Sequence, residues 1–222
     1  MHFPFLCCRS FKRRKNLIFI VAVSFFFVKS AIAPEKGAWY HQGKGGVKMK
    51  IAIFGHSGSG KSTLGAFLGE LYGAPVLNLD VIAFEEGWKR REMAESRALA
   101  QRFMEQDSWI IEGNYREMAW ETRVEEADQL IYMNFPRLTC LKRAWKRYRT
   151  YRGRTRESIA PGCPEKLDLE FVFWILWQGR TPCRLARFQQ TVKQYQGKTV
   201  VLKNQRQLDA FMEQTKKGCS RS

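Results

Sequence analysis

The residues with the clearest chemistry are GHSGSGKST at positions 55–63, which fit G-x-x-x-x-G-K-[ST] at every fixed position. This is the pattern of a loop that holds phosphate. Gly55, Gly58 and Gly60 let backbone N–H groups turn toward an anion with no Cβ in the way. Lys61 can reach the β- and γ-phosphates of a nucleoside triphosphate, and the Ser62 hydroxyl is of a type that binds Mg2+. Ser57, Ser59 and Thr63 complete the candidate nucleotide-binding set. His56 occupies a variable position of the pattern and is given no catalytic role. ATP and Mg2+ are the cofactors this chemistry calls for.

A loop of this kind needs a buried strand before it and a helix after it. "KIAIF" at 50–54 is a short apolar run suited to a buried strand, and "TLGAFLGELYG" reads as a helix that stops at Gly73 ahead of Pro75. The helix start would add its positive end to the loop. Downstream, "VLNLD" (76–80), "SWIIEGNY" (108–115), "QLIYMNF" (129–135) and "KTVVLK" (198–203) read as further strands. Helical periodicity runs over 90–106, 117–127, 137–151, 168–178, 182–196 and 205–217. Strands alternating with helices predict a three-layer α/β/α fold around a five-stranded parallel sheet.

In such sheets ligands bind beyond the carboxyl ends of the strands. That singles out Asp80, Glu112, Asn114 and Asn134. Asp80 could orient or deprotonate an acceptor hydroxyl, or hold a water on Mg2+. Glu112 could hold the metal's water shell. Each could equally be a helix cap or turn residue.

Residues 137–156 contain nine Lys or Arg and no acid. Arg143 and Arg147 lie four apart on one helical face and are the candidates to stabilise charge on a transferring phosphoryl group. The stretch 151–168 runs through Gly and Pro without strong periodicity, and the region of about 149–182 is expected to be a mobile, arginine-rich lid. "GRTPCRLAR" adds Arg180, Arg184 and Arg187. The competing reading is a nucleic-acid surface, since Trp145, Tyr148 and Tyr151 interleave with the cations. "EFVFWILW" (170–177) is apolar nearly all round yet too short to cross a bilayer. Burial in the core is expected for it, with a dimer face or membrane contact as alternatives.

The chain has 222 residues and a formal net charge of +17, enough for one domain and too little for two large ones. Six cysteines without a C-x-x-C pair, and three histidines, give no zinc pattern. Residues 1–48 are set apart: a basic stretch, a 12-residue apolar run at 17–28 and "AIA" follow the order of a signal peptide. They can also be read as an upstream mis-start. Residues 44–48 can be encoded by a purine-rich ribosome-binding sequence ahead of Met49, where the first strand begins. The expectation is a domain spanning 49–222, cytoplasmic if the protein starts at Met49, and membrane-anchored if the leader is translated and kept.

Beyond these local patterns, the chain resembles the adenylate-kinase-like P-loop kinases, and more closely the DNA topology modulation (FlaR-like) proteins. The resemblance covers about residues 49–212. It is carried by "MKIAIFGHSGSGKSTL", "PVLNLD" with "GW", "SWIIEGNY", "EEADQLIYMNF", "CLKRAWKRY", "GCPEKLDLEF", "GRT" and "LKNQRQLDAF". It implies an adenylate-kinase-like fold, with Arg143 and Arg147 as lid-helix arginines and Arg180, Arg184 or Arg187 on the lid's far side. It also implies that Asn204 and Gln205 border the adenine. Asn134 stands where the kinases carry an Asp. The function implied is an ATP-dependent phosphotransferase acting on a small acceptor, with a nucleotide-dependent DNA-binding regulator as the alternative. A membrane partner is not expected.

Overall fold

The computed structural model describes residues 48–156 and 158–219, so the leader-like stretch, apart from Lys48, lies outside the described residues. The chain runs through β1 (Lys50–Gly55), α1 (Lys61–Tyr72), β2 (Val76–Asn78), α2 (Leu79–Ala83), a small hairpin of β3 (Phe84–Glu85) and β4 (Lys89–Arg90), and α3 (Met93–Met104). It continues with β5 (Trp109–Glu112), α4 (Trp120–Glu126), β6 (Gln129–Met133), α5 (Arg137–Tyr151), α6 (Leu169–Leu176), α7 (Pro182–Gln194), β7 (Thr199–Leu202) and α8 (Gln205–Cys219).

Five strands lie side by side in the order β2-β5-β1-β6-β7. Every neighbouring pair is parallel. Both faces of the sheet are covered, which is why these strands read as near-continuous apolar runs. The period of two decides which residue faces which layer. Ile51, Ile53, Ile110, Ile131 and Met133 join Leu64 and Leu68 of α1, Cys140 and Ala144 of α5 and Leu208 of α8 in one core. Ala52, Phe54, Ile111, Leu130 and Tyr132 join Ala100 and Phe103 of α3, Val124 of α4 and Phe188 of α7 in the other. Each fully buried Ile, Leu or Phe contributes roughly 1.5–3 kcal/mol. That is enough to hold elements as short as the three-residue β2 in place.

Three sequence expectations are corrected here. The second strand stops at Asn78, its last residue paired with β5, opposite Glu112. With β5 ending there, the chain turns, so Asp80 lies in α2 rather than at a strand end. The helix expected over 90–106 starts at Met93. Arg90 pairs with Phe84 in the hairpin, and the Glu92 side chain caps α3 by accepting from the N–H groups of Ala94 and Glu95. Finally, α6 is not buried in the core. It packs on α5 instead of on the sheet, so only one side is covered: Ile175 is buried, while Leu169 is 87% exposed.

Candidate functional site

The loop at 55–63 sits at the switch point of the sheet, where β1 is flanked by β5 on one side and β6 on the other. Its shape depends on glycine at two positions. Gly55 has φ +140° and Gly58 has φ +77°, and a Cβ at either would come within 2.4 Å of a carbonyl oxygen, that of Met133 or Cys140. α1 follows with Gly60 as its N-cap, no side-chain cap and no acid in its first turn. Nothing in the helix therefore neutralises its positive end or occupies its leading N–H groups.

Side chains from three other elements brace the loop. The Asn114 amide, just past β5, accepts from Gly55 N–H at 3.0 Å and donates to Gly55 O at 2.6 Å. Lys61 Nζ donates to His56 O at 3.2 Å, folding over the loop. Arg143 of α5 donates to Ser59 O and to Gln205 Oε1, with its guanidinium 4.3 Å from the centre of the Phe135 ring. Trp174 Nε1 donates to Ser57 Oγ at 3.2 Å. Beneath the loop His56 is buried, with Nε2 donating to Asn134 Oδ1 at 3.1 Å. Burial, then the charge of Arg180, lowers the His56 pKa to about 4, so the ring is neutral near pH 7.

The alternation along β5 turns Glu112 toward α1, on the same side as Ile110. It is buried, and the Ser62 hydroxyl donates to its Oε1 at 2.8 Å. Burial pushes the Glu112 carboxyl up from its ordinary value. Lys61 opposes this, the nearby Asp80 adds to it and the Ser62 hydrogen bond opposes it. Asp80 Oδ1 accepts from Tyr115 OH at 2.7 Å. Burial, reinforced by Asp80, raises the Tyr115 pKa, so the phenol keeps its proton and acts as the donor. The loop that carries Asn114 and Tyr115 is held by Arg123 of α4, which is buried. Arg123 donates to the carbonyls of Met118 at 3.1 Å, Gly113 at 3.4 Å and Tyr115 at 2.8 Å.

The segment at 159–164 docks onto the β3–β4 hairpin. Gly87 N–H donates to Gly162 O, Trp88 N–H to Cys163 Sγ and Trp88 Nε1 to Pro164 O. Ile159, Ala160 and Cys163 pack with Phe84 and Trp88. Glu165, buried, takes Arg147 on one oxygen at 2.7 Å and Arg156 on the other at 2.5 Å. Burial, then Arg156, lowers the Arg147 pKa, while Glu165 and the charge of Asp80 oppose the shift. Arg156 also acts electrostatically on Glu112. Arg147 thus stands within electrostatic reach of Asp80, and Arg156 of Glu112.

The structure brings together Gly55, Lys61, Ser62, Glu112, Asn114 and Arg143 around the loop, with Asp80 alongside. Other candidates bind the residues that support it. Arg180 donates to Phe135 O at 2.8 Å, Arg184 stacks over Trp174, and Arg187 reaches Asn114 O at 3.3 Å. Asn204 Oδ1 caps α8 by accepting from Gln207 N–H. Tyr115, Arg123, Glu165 and the hairpin were not anticipated. The one signal that pointed to them was a Tyr directly after Asn114 in the third strand's turn. The others depend on contacts 8 to 18 residues apart or more.

A parallel five-stranded sheet sandwiched by helices, with the glycine-rich loop at 55–63 following its central strand, is a three-layer α/β/α fold of the adenylate-kinase-like form. No protein-family model matches the chain, and no curated protein does. Among solved structures, it is similar to a deoxyadenosine kinase from M. mycoides with bound dATP, at 17% identity over 75% of this chain and 98% of that one, TM-score 0.41. It is also similar to a shikimate kinase from Bacteroides thetaiotaomicron, at 18% identity over 78% and 98%, TM-score 0.41. A gluconokinase from Sinorhizobium meliloti is 15% identical over 78% and 93%, TM-score 0.42.

Proposed function

We propose that this protein is an ATP-dependent phosphotransferase acting on a small acceptor, with the nucleotide on residues 55–63. The observation that carries the reading is the meeting of an open phosphate cradle with the Ser62–Glu112 pair and the Asp80–Tyr115 pair at one end of the sheet. The loop fits a nucleotide phosphate: its backbone follows a course that a side chain at Gly55 or Gly58 would not permit, α1 opens on it without a side-chain cap, and the Ser59 hydroxyl is buried without a partner among the described residues. Ser62 and Glu112 are the residues suited to Mg2+, which when bound would draw charge from the transferring phosphoryl.

The chain's own groups then have distinct tasks. The backbone N–H groups of the loop and α1 bind phosphate. Lys61 places a cation over the loop. Arg143 holds the loop's shape through Ser59 O and offers charge beside it. Asp80, oriented by Tyr115, accepts the proton of an acceptor hydroxyl. Arg147 and Arg156, gathered by Glu165, close over the same end and help exclude water.

The finer affiliation with the DNA topology modulation (FlaR-like) proteins belongs to this reading as its regulatory variant, in which the acid-free cationic α5 contacts DNA and the nucleotide sets the state. Arg149 stacked 4.8 Å from the Trp145 ring centre favours it. One experiment separates the two: ADP release by the full chain and by Lys61→Ala, with Mg·ATP alone, with a panel of nucleosides, nucleotides and hydroxyl metabolites, and with supercoiled or linear DNA. Stimulation by one small acceptor, lost in the variant, is the expected result. Stimulation by DNA alone sinks the phosphotransferase reading. A cytoplasmic location goes with either activity, since ATP is its currency.

A further inference from the structure

Away from the nucleotide loop, α5 and α6 leave one face uncovered. A groove of about 410 Å3 runs between them, lined by Leu138, Leu141, Lys142, Trp145, Leu167 and Val172. Beside Val172, Leu169, Phe173 and Trp177 recur at four-residue spacing along one side of α6, at 87%, 48% and 56% exposure. Leu138 is 76% exposed and Trp145 50%. Scattered apolar residues on a surface need no partner, but a contiguous set of this size marks one.

The charge around it is mainly positive. Arg137, Lys142, Lys146 and Arg149 of α5 are exposed, and α5 contains no acid. Against these four cations stand two exposed acids at the start of α6, Asp168, which caps it by accepting from Phe171 N–H at 2.8 Å, and Glu170.

Three kinds of partner could cover such a face. A second copy joined by a two-fold axis would set the same patch against itself, cations facing cations. Nucleic acid would take the cations and stack on Trp145, but bases and phosphates give Leu138 and Leu169 nothing to bury against. A bilayer carrying anionic lipid takes both parts: the apolar side chains enter the boundary between headgroups and chains, and the cations meet the headgroups. Trp side chains favour that depth. Crossing is not required, since among the described residues no helix is long and apolar enough to cross a membrane.

We infer that the α5–α6 face binds the surface of an anionic membrane peripherally. It departs from the expectation of no membrane partner because the apolar stretch expected in the core is on the surface. The inference does not depend on phosphoryl transfer.

The test is sedimentation of the full chain with vesicles of phosphatidylcholine alone or mixed with phosphatidylserine. Two variants accompany it, Leu138→Ser/Leu169→Ser/Phe173→Ser and Lys142→Gln/Lys146→Gln, with melting curves and Mg·ATP binding to establish that both remain folded. Binding should favour the phosphatidylserine vesicles, fall tenfold or more (on the order of what three lost apolar anchors cost) in the first variant, and fall roughly 25-fold in the second, about fivefold per cation. Affinity that both variants keep belongs to another part of the chain and overturns the inference. So does failure to bind either vesicle. Variants that lose duplex DNA binding but not vesicle binding would assign the face to nucleic acid. Variants that instead lower the molecular mass in solution would assign it to a second copy.

Discussion

The Ser62 hydroxyl donates to Glu112 Oε1 across 2.8 Å, tying the first turn of α1 to the end of β5. Glu112 is buried at the end of β5, where a carboxylate is costly. Its presence is understandable if the charge serves a cation or the nucleotide. Glu112→Gln keeps the size and removes the charge. The variant is expected to melt at the same temperature or higher while its Mg-dependent ATP binding and ADP release fall by tenfold or more, on the order of one lost charge-assisted contact. A loss of stability with unchanged binding would make Glu112 a purely structural acid.

Gly55 cannot carry a side chain. Ala there would combine a φ of +140° with a Cβ 2.4 Å from Met133 O. Gly55→Ala is expected to cost about 2–4 kcal/mol in denaturant unfolding. Gly197, whose Cβ would meet open space, provides the comparison: Gly197→Ala should stay within about 0.5 kcal/mol.

Glu165 gathers Arg147 and Arg156, and the three side chains are 3%, 25% and 14% exposed. Glu165→Ala leaves two largely buried cations unpaired, at a cost of about 3–5 kcal/mol. Because Glu165 also ties down the segment that follows α5, proteolysis of the variant should cut first between residues 152 and 168. Arg147→Ala/Glu165→Ala, with one cation left, should recover part of the loss. If the double variant is no better than the single, the pairing is not what holds that segment.

His56 gives a pH dependence with a defined sign. Its pKa is about 4 in the fold against 6.5 ordinarily, because burial and Arg180 disfavour the charged ring. The unfolded chain therefore binds more protons between those values, and stability falls as pH drops from 6.5 toward 4. The full effect is about 3 kcal/mol. Replacing His56 with Gln should flatten the curve in that window relative to the parent. Parallel curves would show that His56 is not the group responsible.

Much of the frame was legible before any coordinates. The loop at 55–63 declares itself because phosphate binding needs fixed residue types at fixed local spacing. The parallel sheet follows from short apolar runs alternating with helical periods, and α5 matches its expected span because its cations and apolar residues keep one period for 15 residues. Asp80 was recognised as a candidate but misplaced, since the end of β2 depends on where its partner β5 stops. The hairpin at 84–90 was missed because its two-residue strands carry no period, and Trp88 at φ +64° follows no local preference.

Sequence alone singled out the loop proposed to hold phosphate, because one strand, one turn and one helix start suffice and all three are contiguous. Tertiary structure decided what surrounds that loop. Asp80 meets Tyr115 across 35 residues, and Ser62 meets Glu112 across 50. It also decided that the segment at 159–164 rests on the hairpin and that much of the apolar α6 faces outward. Those outcomes depend on which surfaces the folded chain has left to cover, and no local pattern contains that information.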